Sequence, residues 1–112
     1  MVDGQRLELI EKIKSRFSED RCSQVERMMS IMSNQVRFHI LCALNFEAFT
    51  VTELVEITGA QVSNVSQQLK MMTLAGYLEK ERKGKQIYYH LKEKRISQLI
   101  HELEDMFPIQ NQ

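Results

Sequence analysis

The spacing of apolar and polar positions predicts a mainly helical chain. Apolar residues recur every three or four positions over residues 5–17, 22–32 and 35–45, as they do along one face of an amphipathic helix. Ser18 and Asn34 are candidate N-caps of the second and third helices, because their short side chains accept hydrogen bonds from free backbone amides. The first part of the chain is therefore predicted to form three helices.

Two shorter helices are predicted after a loop over residues 45–50. Thr52 is a suitable N-cap for a helix over residues 53–58, and Gly59 is expected to end it because glycine adopts the left-handed conformation at low cost. A second helix follows from about residue 61 to residue 75. Two helices joined by so tight a turn fit a helix-turn-helix, but helical hairpins are common in all-α proteins, so the assignment depends on the segment that follows.

The period then changes from that of a helix to that of a strand. Residues 77–82 and 86–91 are predicted strands, and Lys83, Gly84 and Lys85 form a basic turn between them. A last amphipathic helix covers residues 93–107, before a proline that ends it. The predicted fold is mainly α with a small β-hairpin: a winged helix-turn-helix with helices at both ends.

Length and composition limit the class of protein. The chain has 112 residues, of which 43% are hydrophobic and 27% charged, as in a folded globular protein, so residues 1–112 are predicted to form one domain. Two cysteines are too few for a disulfide scaffold, and there is neither a signal peptide nor an apolar run long enough for a bilayer. We therefore expect a cytoplasmic protein without a membrane partner. No catalytic arrangement or cofactor motif is recognisable, so we expect no enzyme and no cofactor.

The formal net charge of zero conceals an uneven distribution. Residues 1–59 carry seven Lys and Arg against nine Asp and Glu, residues 60–95 carry eight against three, and residues 96–112 carry none against three. The positive charge therefore follows the second helix of the turn. This placement is where a DNA-binding protein would need contacts to phosphates.

The helix over residues 61–75 has a surface suited to a DNA groove. Its predicted inward positions are aliphatic or Met: Val65, Leu69 and Met72. Its predicted outward positions carry hydroxyl, amide or amino groups: Ser63, Asn64, Ser66, Gln67 and Lys70. Such groups form hydrogen bonds to base edges and phosphates, so we expect these five residues to contact DNA.

Two segments resemble the ArsR/SmtB family of bacterial repressors. They are SNQVRFHILCAL and LVEITGAQVSNVSQQLKMMTLAGYLEKERKGKQIYYHL, and the likeness extends over about residues 25–107. The resemblance implies a homodimer that binds a double-stranded, pseudo-palindromic operator and leaves it when an inducer binds. It assigns residues 53–75 to the helix-turn-helix, 77–91 to the wing, and both the N-terminal arm (1–18) and the helix over 93–107 to dimerisation.

The resemblance also implies particular DNA contacts. Family members use the start of the recognition helix and the residue before the preceding helix, which correspond here to Val51, Val62, Ser63, Ser66 and Gln67. Val62 is expected either to pack on a thymine methyl group or to be buried against the wing. The cations of the wing are expected on flanking phosphates or in the minor groove: Arg82, Lys83 and Lys85.

The metal sites of the family lack most of their ligands here. One site would fall on Thr50, Thr52 and Glu53, which provide no thiolate. The other site would use four residues at the two ends of the last helix, and only the first of them, a carboxylate, can bind a metal as the family ligands do: Glu93, Arg95, Met106 and Ile109. Zn²⁺ needs three or four converging ligands, so no metal site is predicted. The remaining imidazoles, His39, His90 and His101, leave a non-standard metal site as an alternative, with His101 and Asp105 on one helical face.

The two cysteines are the candidates for a thiol-based switch. Cys42 matches the first cysteine of the sulfur-sensing branch of the family, but Pro108 occupies the place of the second. Cys22 is the remaining partner, and a disulfide would need the two Cα atoms within about 7 Å. The alternative is that both are small buried apolar residues. A third possibility for the whole chain is a winged helix that binds proteins and not DNA.

Overall fold

The computed structural model describes residues 3–109. The outer ends of the predicted domain and arm, residues 1–2 and 110–112, lie outside the described residues. Residues up to Ser33 form one compact unit and residues from Asn34 onward form another. Each unit is described separately, and the assignment of the chain to one domain stays a prediction.

Six helices and two strands account for most of the described residues. In chain order they are α1 (Gly4–Phe17), α2 (Asp20–Met32), α3 (Gln35–Leu44), α4 (Val51–Thr58), α5 (Val62–Leu74), β1 (Leu78–Lys83), β2 (Gln86–Leu91) and α6 (Arg95–Met106). The predicted winged helix-turn-helix order is confirmed. Within residues 3–109, none of these helices is long and apolar enough to cross a membrane.

The first unit consists of α1 and α2, and neither helix contains a buried residue. Asp3 caps α1 by accepting a hydrogen bond from the backbone amide of Arg6 at 2.8 Å. Ser18 does not cap α2 as predicted. It follows the end of α1, where its hydroxyl donates to the Ser15 carbonyl at 2.9 Å, and Glu19 takes the N-cap position of α2.

The second unit has its core where α3, α4, α5 and α6 meet the base of the hairpin. The fully buried side chains are aliphatic or Met and come from every one of these elements: Ile40, Leu41, Leu54, Val65, Leu69, Met72, Leu78, Ile96 and Ile100. Asn34 caps α3 as predicted, accepting from the Arg37 amide at 3.0 Å. The predicted inward positions of α5 are all in this core.

Helix α4 begins earlier than the sequence pattern indicated. Its N-cap is Thr50 and not Thr52, and the helix starts at Val51. Thr50 and Glu53 form a capping box, in which each side chain accepts a hydrogen bond from the backbone amide of the other residue, at 3.2 Å and 2.9 Å. Gly59 ends α4 as predicted, with a left-handed φ of 71°.

The hairpin has one pairing partner that was not predicted. β1 and β2 are antiparallel with Leu78 opposite Leu91, and Gly84 begins the connecting turn with φ 65°. Phe49, in the segment predicted as a loop, pairs with Tyr89: the Tyr89 amide donates to the Phe49 carbonyl at 2.8 Å, and the reverse bond is 3.2 Å. These bonds attach the α3–α4 connection to the wing.

Candidate nucleic-acid interface

Helix α5 presents one polar face while its other face is fixed in the core. Because Val65, Leu69 and Met72 are fully buried, the orientation of the helix about its axis is determined. Four of the five predicted polar contact residues are exposed on the outer side: Ser63, Ser66, Gln67 and Lys70. The fifth, Asn64, is half-buried.

Asn64 belongs to a line of hydrogen bonds that crosses from α5 to α3. The Gln68 Nε2 donates to Asn64 Oδ1 at 3.0 Å, and Arg37 Nη1 donates to Gln68 Oε1 at 3.0 Å. Arg37 and Gln68 were not among the predicted site residues. The spacing of four residues between Asn64 and Gln68 was a signal for their contact, whereas Arg37 lies 31 positions from Gln68 and gave none.

Val62 and Val51 occupy the starts of the two helices of the turn. Val62 is 59% exposed, so the expected alternative in which it is buried against the wing is wrong. Val51 is the first residue of α4 and is half-buried. An exposed aliphatic group at the start of α5 is available to a thymine methyl group.

The hairpin separates charges that the sequence interleaves. Successive side chains of a strand point to opposite faces, so Lys80 and Arg82 share one face of β1 while Glu79 and Glu81 share the other. Glu79 also lies 3.8 Å from the Nε2 of His90, an ion pair when the imidazole is protonated. Lys83 follows Glu79 and Glu81 on the second face, so one face of β1 carries only positive charge and the other carries both signs.

The three predicted wing cations lie at or beside the tip. Arg82 Nε donates to the Gly84 carbonyl at 3.2 Å, and Lys83 Nζ lies 5.7 Å from the centre of the Tyr88 ring. Lys85 lies in the turn and is exposed. All three cations are on the surface, where phosphates of a nucleic acid can approach.

The positions of the family metal sites carry other interactions. Thr50 and Glu53 form the capping box of α4. The Glu93 carboxylate accepts two bonds of 2.7 Å from the Arg95 guanidinium and one of 3.1 Å from its amide, and these bonds lower the pKa of Glu93 to about 2. Met106 contributes a thioether on an exposed face. Within residues 3–109, no three His, Cys, Asp or Glu side chains converge as a metal would require.

Both cysteines are half-buried free thiols, and they belong to different units. Desolvation, followed by the negative charge of Glu26, raises the pKa of Cys22, and desolvation with the charge of Glu104 raises the pKa of Cys42. A raised pKa keeps a thiol protonated at neutral pH and therefore less nucleophilic. The pairing of Cys22 with Cys42 stays a prediction.

A cavity of about 390 Å³ lies beside Cys42 in the second unit. Its wall is mostly apolar and is built from α3, α4 and the segment between them: His39, Cys42, Ala43, Phe46, Phe49 and Ile57. Another cavity, of about 370 Å³, lies between α1 and α2 and is bordered by Cys22. Each cysteine thus borders a mostly apolar opening.

Comparison with known proteins agrees with this geometry. Residues 34–80, from α3 to the first strand of the wing, match the arsR family of bacterial regulatory proteins. The biofilm growth-associated repressor of Xylella fastidiosa strain 9a5c is 33% identical over 107 residues, which are 96% of this chain and 94% of the repressor. The match therefore includes the helices outside the helix-turn-helix.

Solved structures show the same architecture. The crystal structure of the transcriptional repressor BigR from Xylella fastidiosa superposes with a TM-score of 0.76 at 31% identity, over 89% of this chain and 97% of that one. The homodimeric winged helix-turn-helix domain of Mb0332 from Mycobacterium bovis superposes with a TM-score of 0.67 at 24% identity, over 80% of this chain and 86% of that one. With its fold, its polar α5 face and its relatives in agreement, this chain belongs to the arsR family of bacterial regulatory proteins.

Proposed function

We propose that the chain represses transcription as a homodimer that binds a pseudo-palindromic DNA operator. Helix α5 enters the major groove, and the wing contacts the flanking backbone. The observation that carries this proposal is the outer face of α5, where Ser63, Ser66, Gln67 and Lys70 are exposed on a helix whose opposite face is buried in the core. The role is regulatory, and the cytoplasm is the compartment in which we place it.

The exposed side chains of α5 divide into base-reading and backbone-binding groups. Gln67 has the donor and the acceptor needed for a bidentate contact to adenine, and Val62 provides an apolar contact to a thymine methyl group. Ser63 and Ser66 suit either bases or phosphates, and Lys70 suits phosphates. Val51, at the start of α4, is assigned a packing contact at the edge of the groove.

The wing supplies the sequence-independent part of the affinity. Arg82, Lys83 and Lys85 are clustered at one tip, and an arginine or lysine that neutralises a phosphate releases a counterion. Lys80 lies on the same strand face as Arg82 and extends the positive surface toward the body of the domain. The cluster favours DNA over a protein partner as the occupant of this surface.

Dimerisation is supported by apolar side chains that the monomer leaves exposed. In the first unit they are Leu7, Leu9, Ile10, Ile13, Phe17, Val25 and Met29, and at the end of α6 they are Leu103, Met106 and Phe107. So many exposed apolar groups on a small protein are typical of an interaction surface. A two-fold dimer would place two α5 helices about 34–36 Å apart, one turn of DNA.

Selection from a random duplex library tests the proposal. We expect the wild-type chain to enrich a two-fold symmetric sequence with half-sites one helical turn apart. If no sequence is enriched and no duplex is bound at low salt, the chain is not a DNA-binding repressor. A winged helix that serves protein contacts would give that result.

The salt dependence of binding tests the wing. Removal of one lysine that neutralises a phosphate should reduce the slope of log affinity against log salt by about 0.9, so Lys83→Ala combined with Lys85→Ala should give a clearly shallower slope. The control removes two lysines of α1, Lys12→Ala with Lys14→Ala, and should leave the slope unchanged. Equal slopes in the wing variant and the wild type would contradict the wing contacts.

The inducer is proposed to act through a thiol, with Cys42 and Cys22 as the reactive groups. The support is the mostly apolar cavity that borders each cysteine, through which a small compound can approach. Serine substitution at each position separates the two. We expect Cys42→Ser, with or without Cys22→Ser, to retain operator binding in the presence of polysulfide or peroxide that releases the wild type. Release of the double serine variant would exclude a thiol switch.

A further inference from the structure

Three side chains form a chain of hydrogen bonds from α3 to the recognition helix α5. In this chain each donor belongs to the residue nearer α3. Arg37 Nη1 donates to Gln68 Oε1, and Gln68 Nε2 donates to Asn64 Oδ1, both at 3.0 Å. All three residues are half-buried. Gln68 and Asn64 are one helical turn apart, so the connection runs along the side of α5 toward its N-terminus.

The chemistry of arginine fixes the orientation of both amides. A guanidinium has only donors, so the atom of Gln68 that meets Arg37 is the oxygen. The amide nitrogen of Gln68 is then the group that faces Asn64, and it requires the Asn64 oxygen as acceptor. An isolated asparagine can turn its amide to offer either group to a base, but Asn64 cannot do so without breaking this bond.

The outward group of Asn64 is therefore its amide nitrogen. Within the described residues, Nδ2 of Asn64 forms no hydrogen bond to the protein. Every buried side-chain nitrogen or oxygen in this part of the chain does have a hydrogen-bond partner, so Nδ2 is not buried. This nitrogen is consequently accessible from outside. It lies beside Ser63 and Gln67 on the helix that we place in the major groove.

We propose that Asn64 reads DNA as a donor only, and that Arg37 and Gln68 are positioning residues that determine this polarity. The inference rests on the proposed function. A donor matches guanine O6 or N7, or thymine O4, whereas the bidentate contact of asparagine with adenine also needs the amide oxygen on the outer side, and here that oxygen is directed toward Gln68. Asn64 thus favours a base edge that presents acceptors. Gln67, which is exposed and outside this connection, keeps both groups for adenine.

Gln68→Glu tests the polarity, because it changes one donor to an acceptor with little change of shape. A carboxylate has two acceptor oxygens, so it still receives the Arg37 bond but has nothing to donate to Asn64. The Asn64 amide then gains a bond by turning its nitrogen inward and its oxygen outward. The base preference at its position should change from acceptor edges to the donor edges of adenine or cytosine, by roughly five- to tenfold.

The measurement is the sequence enriched from a random duplex library by each purified variant. Asn64→Ala in the wild-type background locates the base pair that Asn64 contacts, since the preference there should disappear. The double variant Asn64→Ala with Gln68→Glu should have the same base preference at that pair as Asn64→Ala alone, because the side chain that reads the base is absent from both. Gln67→Glu adds the same charge one residue away; it should weaken binding without changing the preference at that pair.

The outcomes separate the two proposals. If the wild type enriches no sequence, the proposed function fails. If the wild type enriches an operator and Gln68→Glu enriches the same bases at the Asn64 position, the polarity inference is overturned. Should Gln68→Glu fail to fold, Gln68→Met provides the second test: it frees the Asn64 amide, so the preference at that pair should broaden to both kinds of edge. An unchanged preference in Gln68→Met likewise overturns the inference.

Discussion

Thr50 and Glu53 each satisfy the free backbone amide of the other residue, at 3.2 Å and 2.9 Å. The Thr50 hydroxyl also donates to the Glu53 carboxylate at 3.2 Å. Thr50 is a buried polar residue at the start of the helix-turn-helix. The stability of the first turn of α4 therefore depends on this pair.

The two threonines at the start of α4 should differ in their importance. Thr50→Ala removes the N-cap and should lower the free energy of unfolding by about 1 kcal/mol. Thr52→Ala changes an exposed residue inside the first turn and should have an effect near zero. Urea unfolding of both variants measures the difference. Equal losses in the two variants would contradict the assignment of Thr50 as the cap.

Glu93 should make a pH-dependent contribution to stability. Its pKa is lowered from 4.5 to about 2, chiefly by hydrogen bonds from the Arg95 side chain. A lowered folded-state pKa means that the stabilisation is complete above pH 4.5 and is lost as pH falls from 4.5 toward 2. We expect Glu93→Gln to be less stable than the wild type at pH 7. The difference in free energy of unfolding between the two proteins should shrink as pH falls from 4.5 toward 2.

Unfolding curves at pH 7, 4 and 3 measure that gap, with Glu81→Gln as the control. Glu81 is exposed on the wing and has no ion pair within the described residues. The difference in stability between Glu81→Gln and the wild type should not shrink in this way as the pH falls. A gap for Glu93→Gln that is constant with pH would show that the Arg95 contact does not stabilise the charged form.

Cys42 should be a slow nucleophile at neutral pH. Burial and the charge of Glu104 raise its pKa above 9.0, so its alkylation rate should keep rising past pH 9.0. Glu104→Gln removes the charge and should accelerate the reaction at pH 7.5. Iodoacetamide labelling in a Cys22→Ser background reports on this sulfur alone. Glu102→Gln, on the same helix, is the control; equal rates for both variants would exclude the influence of Glu104.

Association should depend on the apolar face of α1. Ile13→Glu places a charge on that face and should convert a dimer to a monomer, as measured by sedimentation. No residue of α1 is buried within its own unit, so folding of the chain should survive the change. Lys12→Glu, at the adjacent polar position, should leave the dimer intact. A dimer that tolerates Ile13→Glu would place the interface elsewhere.

Local patterns along the sequence were enough for most of the fold. The helical period identified the buried face of α5 correctly. Val65, Leu69 and Met72 lie on one side of the helix, and burying that side removes all three apolar side chains from water. The cap of α4 was misassigned although a signal existed: Thr50 is followed three residues later by Glu53, which is the spacing of a capping box, whereas Thr52 is not followed by such a residue.

Tertiary contacts account for what the sequence could not predict. Phe49 pairs with Tyr89 as a single residue, and one residue has no period from which a strand could be recognised. Arg37 reaches Gln68 across 31 positions, a distance that only the packing of α3 against α5 can close. The ten DNA-binding residues predicted from the sequence remain a prediction. The structure adds that eight of them are exposed, that Val51 and Asn64 are half-buried, and how the Asn64 amide is oriented.

The pairing of Phe49 with Tyr89 also determines which side of the hairpin is open. At Tyr89, β2 has a neighbour on both sides, whereas within the described residues β1 pairs only with β2 and has unpaired backbone groups along its outer edge. Such an edge invites another chain to add a strand, which leads to aggregation. Five consecutive charged residues, from Glu79 to Lys83, occupy this edge. These charges of β1 thus protect the protein from aggregation through the edge of its wing.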